Sequence, residues 1–191
     1  MSSVAGADGR LRCPWALGSP DFVDYHDREW GQPVTSVSGL YERLTLEAFQ
    51  SGLSWLTILR KRDGFRAAFA GFEPERVATF GADDVARLMQ DPRIVRNRAK
   101  IEAAVANARV VAALGDGFAE LVLGFAQPGR PRPARIEDVP AQTPESAALA
   151  KQLRQHGIRF VGPTTAYALM QAVGLVDDHL ASCFVQVPAV R

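Results

Sequence analysis

From about residue 37 to residue 175, apolar positions recur every three to four residues, the spacing of one face of an α-helix. Leu40 and Leu44 begin one such stripe, and Ile101, Val105, Ala108 and Ala112 carry a longer one. Shorter stripes join Val77 to Phe80, Val85 to Leu88 and Met89, and Phe118 to Leu121 and Phe125. No segment alternates apolar and polar residues as a half-buried strand does, so the predicted class is all-α. Ser54 and Asp83 stand where helix N-caps belong, and Thr143 precedes a helix with Pro144 at its first position. The run QPGRPRPAR over 127–135 is predicted to be an exposed connecting loop, because proline cannot sit in a helix interior. Residues 1–12 read as a loose tail. Residues 13–36 mix turn formers (Gly18, Pro20, Gly31, Pro33) with the closely spaced aromatics Trp15, Phe22, Tyr25 and Trp30.

At 191 residues the chain has the length of one domain, or of one domain with a lobe made from its ends. A chain of this size buries about 70% of the surface its unfolded form exposes. With 47% apolar and 23% charged residues it is neither disordered nor a coiled coil. No run approaches the length of a membrane span, and the first residues hold no stretch like a signal peptide, so a cytoplasmic location is expected. Two cysteines are too few for a disulfide scaffold and are expected as thiols or metal ligands. The net charge of +1 hides a strong arginine bias, since Lys61, Lys100 and Lys151 are the only lysines among 22 basic residues. The arginines gather at 60–62, at 93–100 and at 130–135. On charge alone these clusters read as solvated helix ends and loops, although arginine forks also hold phosphate.

Four features point to chemistry. Glu47 lies three residues after Leu44 and seven after Leu40, on the same apolar face. A carboxylate there is costly unless partnered, so it is either a site residue or a glutamate reaching water from the stripe's edge. Trp55 follows across the tight turn Gly52-Leu53-Ser54 and is either ordinary core or a second wall of the same site. Next, Cys13 and His26 near one end match His179 and Cys183 near the other, and His-x3-Cys puts both side chains on one helical face. These four make a possible tetrahedral zinc site joining the chain ends; the alternative is two buried thiols and two hydrogen-bonded histidines. His156 has no such partner and reads as a helix-end residue. Finally, GIRFVGPTT over 157–165, followed by an apolar helix, is a helix-hairpin-helix candidate, in which Gly162 lets a phosphate approach free N–H groups and Thr164 and Thr165 add hydroxyls. A plain helix corner with a glycine cap is the other reading. The aromatics of 15–30 suit a flipped base or a small satellite core.

RCPW (12–15), YHDREWG (25–31), LEAFQSGLSW (46–55), RFVGPTTAYALMQAVGLVDDH (159–179) and Cys183 together resemble the 3-methyladenine DNA glycosylase I family, over about residues 12–184. The resemblance implies an all-α helix-hairpin-helix bundle over about 37–175. It also implies a zinc-binding terminal lobe from about 12–36 plus 176–191, the whole acting as a single functional unit. It makes Cys13, His26, His179 and Cys183 ligands of a structural zinc. Glu47 becomes the catalytic carboxylate that hydrogen-bonds the extruded base, and Trp15, Phe22, Tyr25 and Trp55 become the base pocket. Leu53, Gly162 and Thr164 become DNA contacts. The implied activity is hydrolytic excision of 3-methyladenine from double-stranded DNA, without strand cleavage, by a monomer that does not engage membranes. Phe22 stands where relatives can carry a tyrosine, and Ala48-Phe49 replaces a smaller or more polar pair, so a shifted lesion preference is one alternative. A zinc-stapled module that binds alkylated DNA without cutting it is another. A small-molecule metallo-hydrolase is disfavoured, because four protein ligands leave zinc no open position.

Overall fold

The computed structural model describes residues 1–188; the last three residues of the expected 176–191 segment lie outside it. Among the described residues nine α-helices carry the fold: α1 (Pro20–Arg28), α2 (Val37–Gln50), α3 (Trp55–Ala68), α4 (Pro74–Ala78), α5 (Ala82–Gln90), α6 (Arg98–Leu114), α7 (Asp116–Leu123), α8 (Pro144–Gln155) and α9 (Pro163–Ala172). None of them is long and apolar enough to cross a membrane.

Helix α2 is the centre of the molecule. Every residue from Leu40 to Phe49 is buried except Glu42 and Arg43, and α3, α6 and α9 pack around it. Tyr41 donates from its hydroxyl to the Ala104 carbonyl at 2.9 Å, fixing α2 to α6. On the α3 side Phe49, Phe65, Phe69 and Phe72 form a chain of ring contacts with centroids 4.8–6.2 Å apart. Such pairs add about 0.5–1.5 kcal/mol each to the burial of the rings. Phe49 therefore belongs to the core. Two residues beyond Glu47, it points away from the face that Glu47 occupies.

The predicted caps hold at Ser54, whose hydroxyl accepts from Thr57 N, and at Thr143, which accepts from Ser146 N. They fail at Asp83. Gly81 is the N-cap of α5, and Asp84 reaches back to accept from its N–H at 3.1 Å. The helix starts two residues earlier than the Asp83 reading requires, with Asp83 and Asp84 both inside its first turn. His156 is the C-cap of α8. Helices α8 and α9 then pack together across the turn 156–162, with Gly162 as N-cap and Pro163 at the first helical position.

The expectation of a loose tail without strands needs correcting. Val4–Ala5 and Leu11–Arg12 form a minimal antiparallel hairpin. Arg12 explains why it is ordered: its guanidinium is buried and paired at 2.7 Å to both Asp8 in the hairpin and Asp27 on α1. Phe184 N donates to the Leu11 carbonyl, so the far end of the chain lies against this hairpin. Gly174, at φ +78°, lets the end of α9 meet residues 31–33; a Cβ there would stand 2.5 Å from the Gly31 carbonyl oxygen. The arginine clusters divide: Arg60, Arg93, Arg96, Arg98 and Arg135 are exposed, as charge alone suggested, whereas three others are not. Arg62 is paired with Glu29, Arg130 with Asp178 and Arg132 with Asp177, each partly buried.

Candidate functional site

A cavity of about 360 Å3 lies where α1, α2, α3 and α9 meet the terminal segments. Trp15, Phe22, Tyr25, Glu47 and Trp55, all expected in one site, line it together. Their placement follows from local structure. Pro14 opens a short 3-10 turn that carries Trp15, and Ser19 caps α1, which presents Phe22 and Tyr25. Glu47 is on the last turns of α2, and Trp55 is the first residue of α3. The rings brace one another, Trp15 edge-on to Phe22 at 5.9 Å and Tyr25 tilted against Trp55 at 5.4 Å.

Glu47 is only 7% exposed and has no hydrogen-bond partner among the described residues. Burial pushes its carboxyl up to about 8. Arg43, one turn earlier, pulls the other way only weakly. Its guanidinium is engaged by Glu29 and Glu42. The Tyr25 phenol is driven well above its ordinary range, first by burial and then by the charge of Glu47. Two further polar atoms in the cavity wall lack hydrogen-bond partners among the described residues, Trp55 Nε1 and Asp178 Oδ1. The latter has only the Arg130 guanidinium nearby, at 3.3 Å.

The cavity also recruits residues that the sequence reading left out of the site, among them Trp30, Gln50, Ala168, Gln171 and Asp178. Gln50 follows Glu47 by three, and Ala168 and Gln171 share one face of α9, so helical spacing was the available signal. Asp178 is fully buried, and its Oδ2 accepts from the Tyr167 hydroxyl at 2.5 Å and from Gln171 Nε2 at 2.8 Å. Leu53 does not line the cavity. It is 42% exposed on the turn between Glu47's helix and Trp55. Gly162 and Thr164 sit apart, at the start of α9.

Cys13, His26, His179 and Cys183 come together from both ends of the chain, all buried, with their ligand atoms within 4.8 Å of one another. This group could hold a metal ion. Each histidine has its second ring nitrogen engaged, His26 Nδ1 by Asp27 Oδ1 at 2.8 Å and His179 Nε2 by the Trp30 carbonyl at 3.1 Å. That pattern is typical of metal-ligating imidazoles. Trp15 lies edge-on to His26 at 5.2 Å and Trp30 edge-on to His179 at 4.7 Å. One wall of the cavity is thus packed directly on the cluster.

Comparison with known proteins agrees with this geometry. The family model for methyladenine glycosylase matches residues 15–186. DNA-3-methyladenine glycosylase 1 of Escherichia coli (strain K12) is 42% identical over 177 residues, covering 90% of this chain and 95% of that protein. A crystal structure of 3-methyladenine DNA glycosylase I superimposes with a TM-score of 0.87 at 44% identity, over 91% of this chain and 98% of that one. A tyrosine-to-phenylalanine variant of 3-methyladenine DNA glycosylase I, solved in complex with 3-methyladenine, superimposes with a TM-score of 0.86 at 34% identity, over 94% and 99% of the two chains. A helical fold built around an aromatic cavity with one unpaired carboxyl, matched along nearly its whole length by such relatives, places this chain in the methyladenine glycosylase family.

Proposed function

We propose that the chain extrudes 3-methyladenine from double-stranded DNA and hydrolyses its glycosidic bond, leaving an abasic site. The observation that carries this reading is the unpaired, buried Glu47 in an aromatic cavity. An unpartnered carboxyl costs stability, and a cationic ligand offsets that cost. 3-Methyladenine in DNA is a cation on a weakened glycosidic bond. A cation over an indole face gains roughly 0.5–2 kcal/mol, and a charge-assisted hydrogen bond to Glu47 adds about 1.5–3 kcal/mol. Neutral adenine collects little of either, so the few kcal/mol needed to extrude a base are not offset for it. Trp15, Phe22, Tyr25 and Trp55 hold the base, and Glu47 reads its charged edge. Entry of the cation draws Glu47 into its ionised form.

The leaving group is already activated, so water suffices as the nucleophile. Lysine chemistry has no candidate among the cavity residues. Lys100 Nζ donates to the Phe49 and Ser51 carbonyls at 2.9 and 2.6 Å, Lys61 Nζ donates to the Pro92 carbonyl, and Lys151 is exposed on α8. This supports a monofunctional enzyme without strand cleavage.

The terminal cluster fits zinc. Ligand bonds of about 2.3 Å to sulfur and about 2.05 Å to nitrogen at a tetrahedral angle put S and N about 3.6 Å apart. Three of the four S···N separations here are 3.5, 3.6 and 3.9 Å, and all four ligand atoms lie within 4.8 Å of one another. Cys13, His26, His179 and Cys183 would hold the ion, which with four protein ligands supplies a structural tie between the chain ends. Residues 12–36 with 176–188 then act as a lobe of one functional unit rather than as a separate domain. The α8–α9 corner supports a backbone grip on DNA, with Gly162 permitting close approach and Thr164 offering a hydroxyl and an N–H at a helix N-terminus. A monomer suffices for all of this, and a cytoplasmic location fits work on DNA.

The test is chromatographic analysis of base release from methylated duplex DNA by wild type and Glu47→Gln. Release of 3-methyladenine by the wild type, reduced at least 100-fold in the variant, supports the reading. Equal binding of methylated DNA by both proteins with no release by either makes the chain a binding module instead.

A further inference from the structure

Phe160 is out of place by every ordinary rule. It is 47% exposed, one of the few large apolar side chains left in water, and its φ of +56° is a conformation that residues with a Cβ adopt reluctantly. The chain is held in this shape from outside. Asn107 on α6 clamps the preceding residue at two points, accepting from Arg159 N at 2.7 Å and donating to the Arg159 carbonyl at 3.1 Å. Arg154 on α8 donates to the Val161 carbonyl at 3.1 Å on the other side. Two side chains thus hold a strained backbone that carries an exposed phenyl ring, unlike Phe72, whose φ of +58° serves a buried ring.

The position of the ring says what it meets. Phe160 lines a small crevice with Lys100, Ala48 and Asn107, between α2 and α6. Lys100 in turn donates to the Ser51 carbonyl, two residues before Leu53. Leu53 and Phe160, both exposed, therefore stand on turns that border the same lysine. Beyond Leu53 the chain enters the aromatic cavity at Trp55. Beyond Phe160 it enters the N-terminus of α9. The surroundings favour an anion: Arg159 is exposed, and no acidic residue occurs from Gln155 to Gln171.

We infer that Phe160 is a second apolar contact to the lesion-bearing duplex, packing beside the stack from which the base has been withdrawn while Leu53 packs at the cavity side. Apolar side chains inserted beside unstacked base steps are a general device for holding distorted DNA. The inference rests on the glycosylase reading above and names a residue that this reading does not use.

Phe160→Gly removes the ring and suits the backbone, since glycine adopts positive φ freely. The variant is therefore expected to melt no lower than wild type. Affinity is read on a duplex carrying a stable abasic-site analogue, and cavity integrity on free 3-methyladenine by tryptophan fluorescence. The expected result is a roughly 5- to 100-fold loss of duplex affinity, the range for losing one aromatic–base contact, with free-base binding unchanged. Phe160→Trp, which keeps an aromatic face, is expected to stay within about threefold of wild type. Duplex binding by Phe160→Gly at the wild-type level overturns the inference, and so does a parallel loss of free-base binding, which would mark the ring as a support of the cavity. Absence of base release by the wild type would instead bring down the glycosylase reading itself.

Discussion

The sharpest consequence of the structure concerns stability, and it runs opposite to activity. Burial lifts the Glu47 carboxyl from 4.5 to about 8. A group whose pKa is raised by folding binds its proton more tightly in the native state, so the native state is favoured at low pH and loses that advantage as pH rises. The loss begins near 4.5, where the unfolded chain releases the proton, and is complete above about 8, where the folded protein does so too. At 1.36 kcal/mol per pH unit this interval is worth about 5 kcal/mol, an upper limit because the carboxyl faces a cavity that admits water. Glu47→Gln keeps the shape and removes the titration. Melting curves of wild type and Glu47→Gln from pH 5 to pH 9 are expected to coincide at the acid end. They should then diverge by as much as 1.4 kcal/mol per pH unit, or about 3–5 °C in Tm for a chain of this size. Above pH 8 the variant is expected to be the more stable protein while its excision activity is at least 100-fold lower. Parallel curves across the whole range would refute the reasoning, because they would mean that the carboxyl is not desolvated in the free protein.

The same carboxyl sets the pH dependence of excision. If the ionised form receives the cation, kcat/KM for 3-methyladenine release rises up to tenfold per pH unit below about 8 and levels above it, and Glu47→Gln shows a low, flat profile over that range. A flat wild-type profile between pH 6 and 8 would disconnect recognition from the charge on Glu47. Metal removal is expected to damage the base site as well as the fold, because Trp15 and Trp30 pack on His26 and His179. Chelation or Cys183→Ala should release one zinc per chain, lower stability by more than about 3 kcal/mol, alter tryptophan emission and weaken free 3-methyladenine binding together. Unchanged emission on metal loss would show that the cavity wall stands without the cluster.

What was legible in the sequence was legible for local reasons. Glu47 showed itself by interrupting an apolar stripe on its own helix, and the Cys/His group by two Cys–His pairs, although His179 and Cys183 lie on turns after α9 and not on the helical face their spacing suggested. Caps at Ser54 and Thr143 could be read because a hydroxyl next to a helix start has one obvious partner. The failures are non-local. Asp178 enters the cavity only because the chain after α9 folds back, bringing its carboxylate to Tyr167 and Gln171. Nothing in the spacing announces that return. The N-terminal hairpin is too short for any alternation to appear, and its order depends on Arg12 finding Asp27 on another element. At α5, Asp83 and Asp84 are indistinguishable as sequence, and only the backbone at Gly81 decides which one closes the cap.

Trp55 Nε1 and Asp178 Oδ1 lack hydrogen-bond partners among the described residues, Asp178 Oδ1 having only its ion pair with Arg130, and the unpaired Glu47 carboxyl faces the same cavity. Each such group costs about 1–3 kcal/mol, a large share of the net stability of a typical domain. A flexible site would relieve that cost by turning the groups toward water. Here relaxation is blocked. Glu47 rides on the most deeply buried helix, whose opposite face is locked by Phe49 and its ring contacts. Trp55 is fixed by the Ser54 cap, and Asp178 is bound on its other oxygen by two donors and followed directly by His179 of the buried Cys/His group. The groups therefore stay aimed into the cavity, and the ligand that satisfies them brings positive charge and donors for the carboxyls and an acceptor for Trp55 Nε1 on a flat apolar ring. Selectivity for a cationic base over its neutral parent then needs no further reading element: a rigid scaffold that keeps these groups unsatisfied is sufficient to generate it.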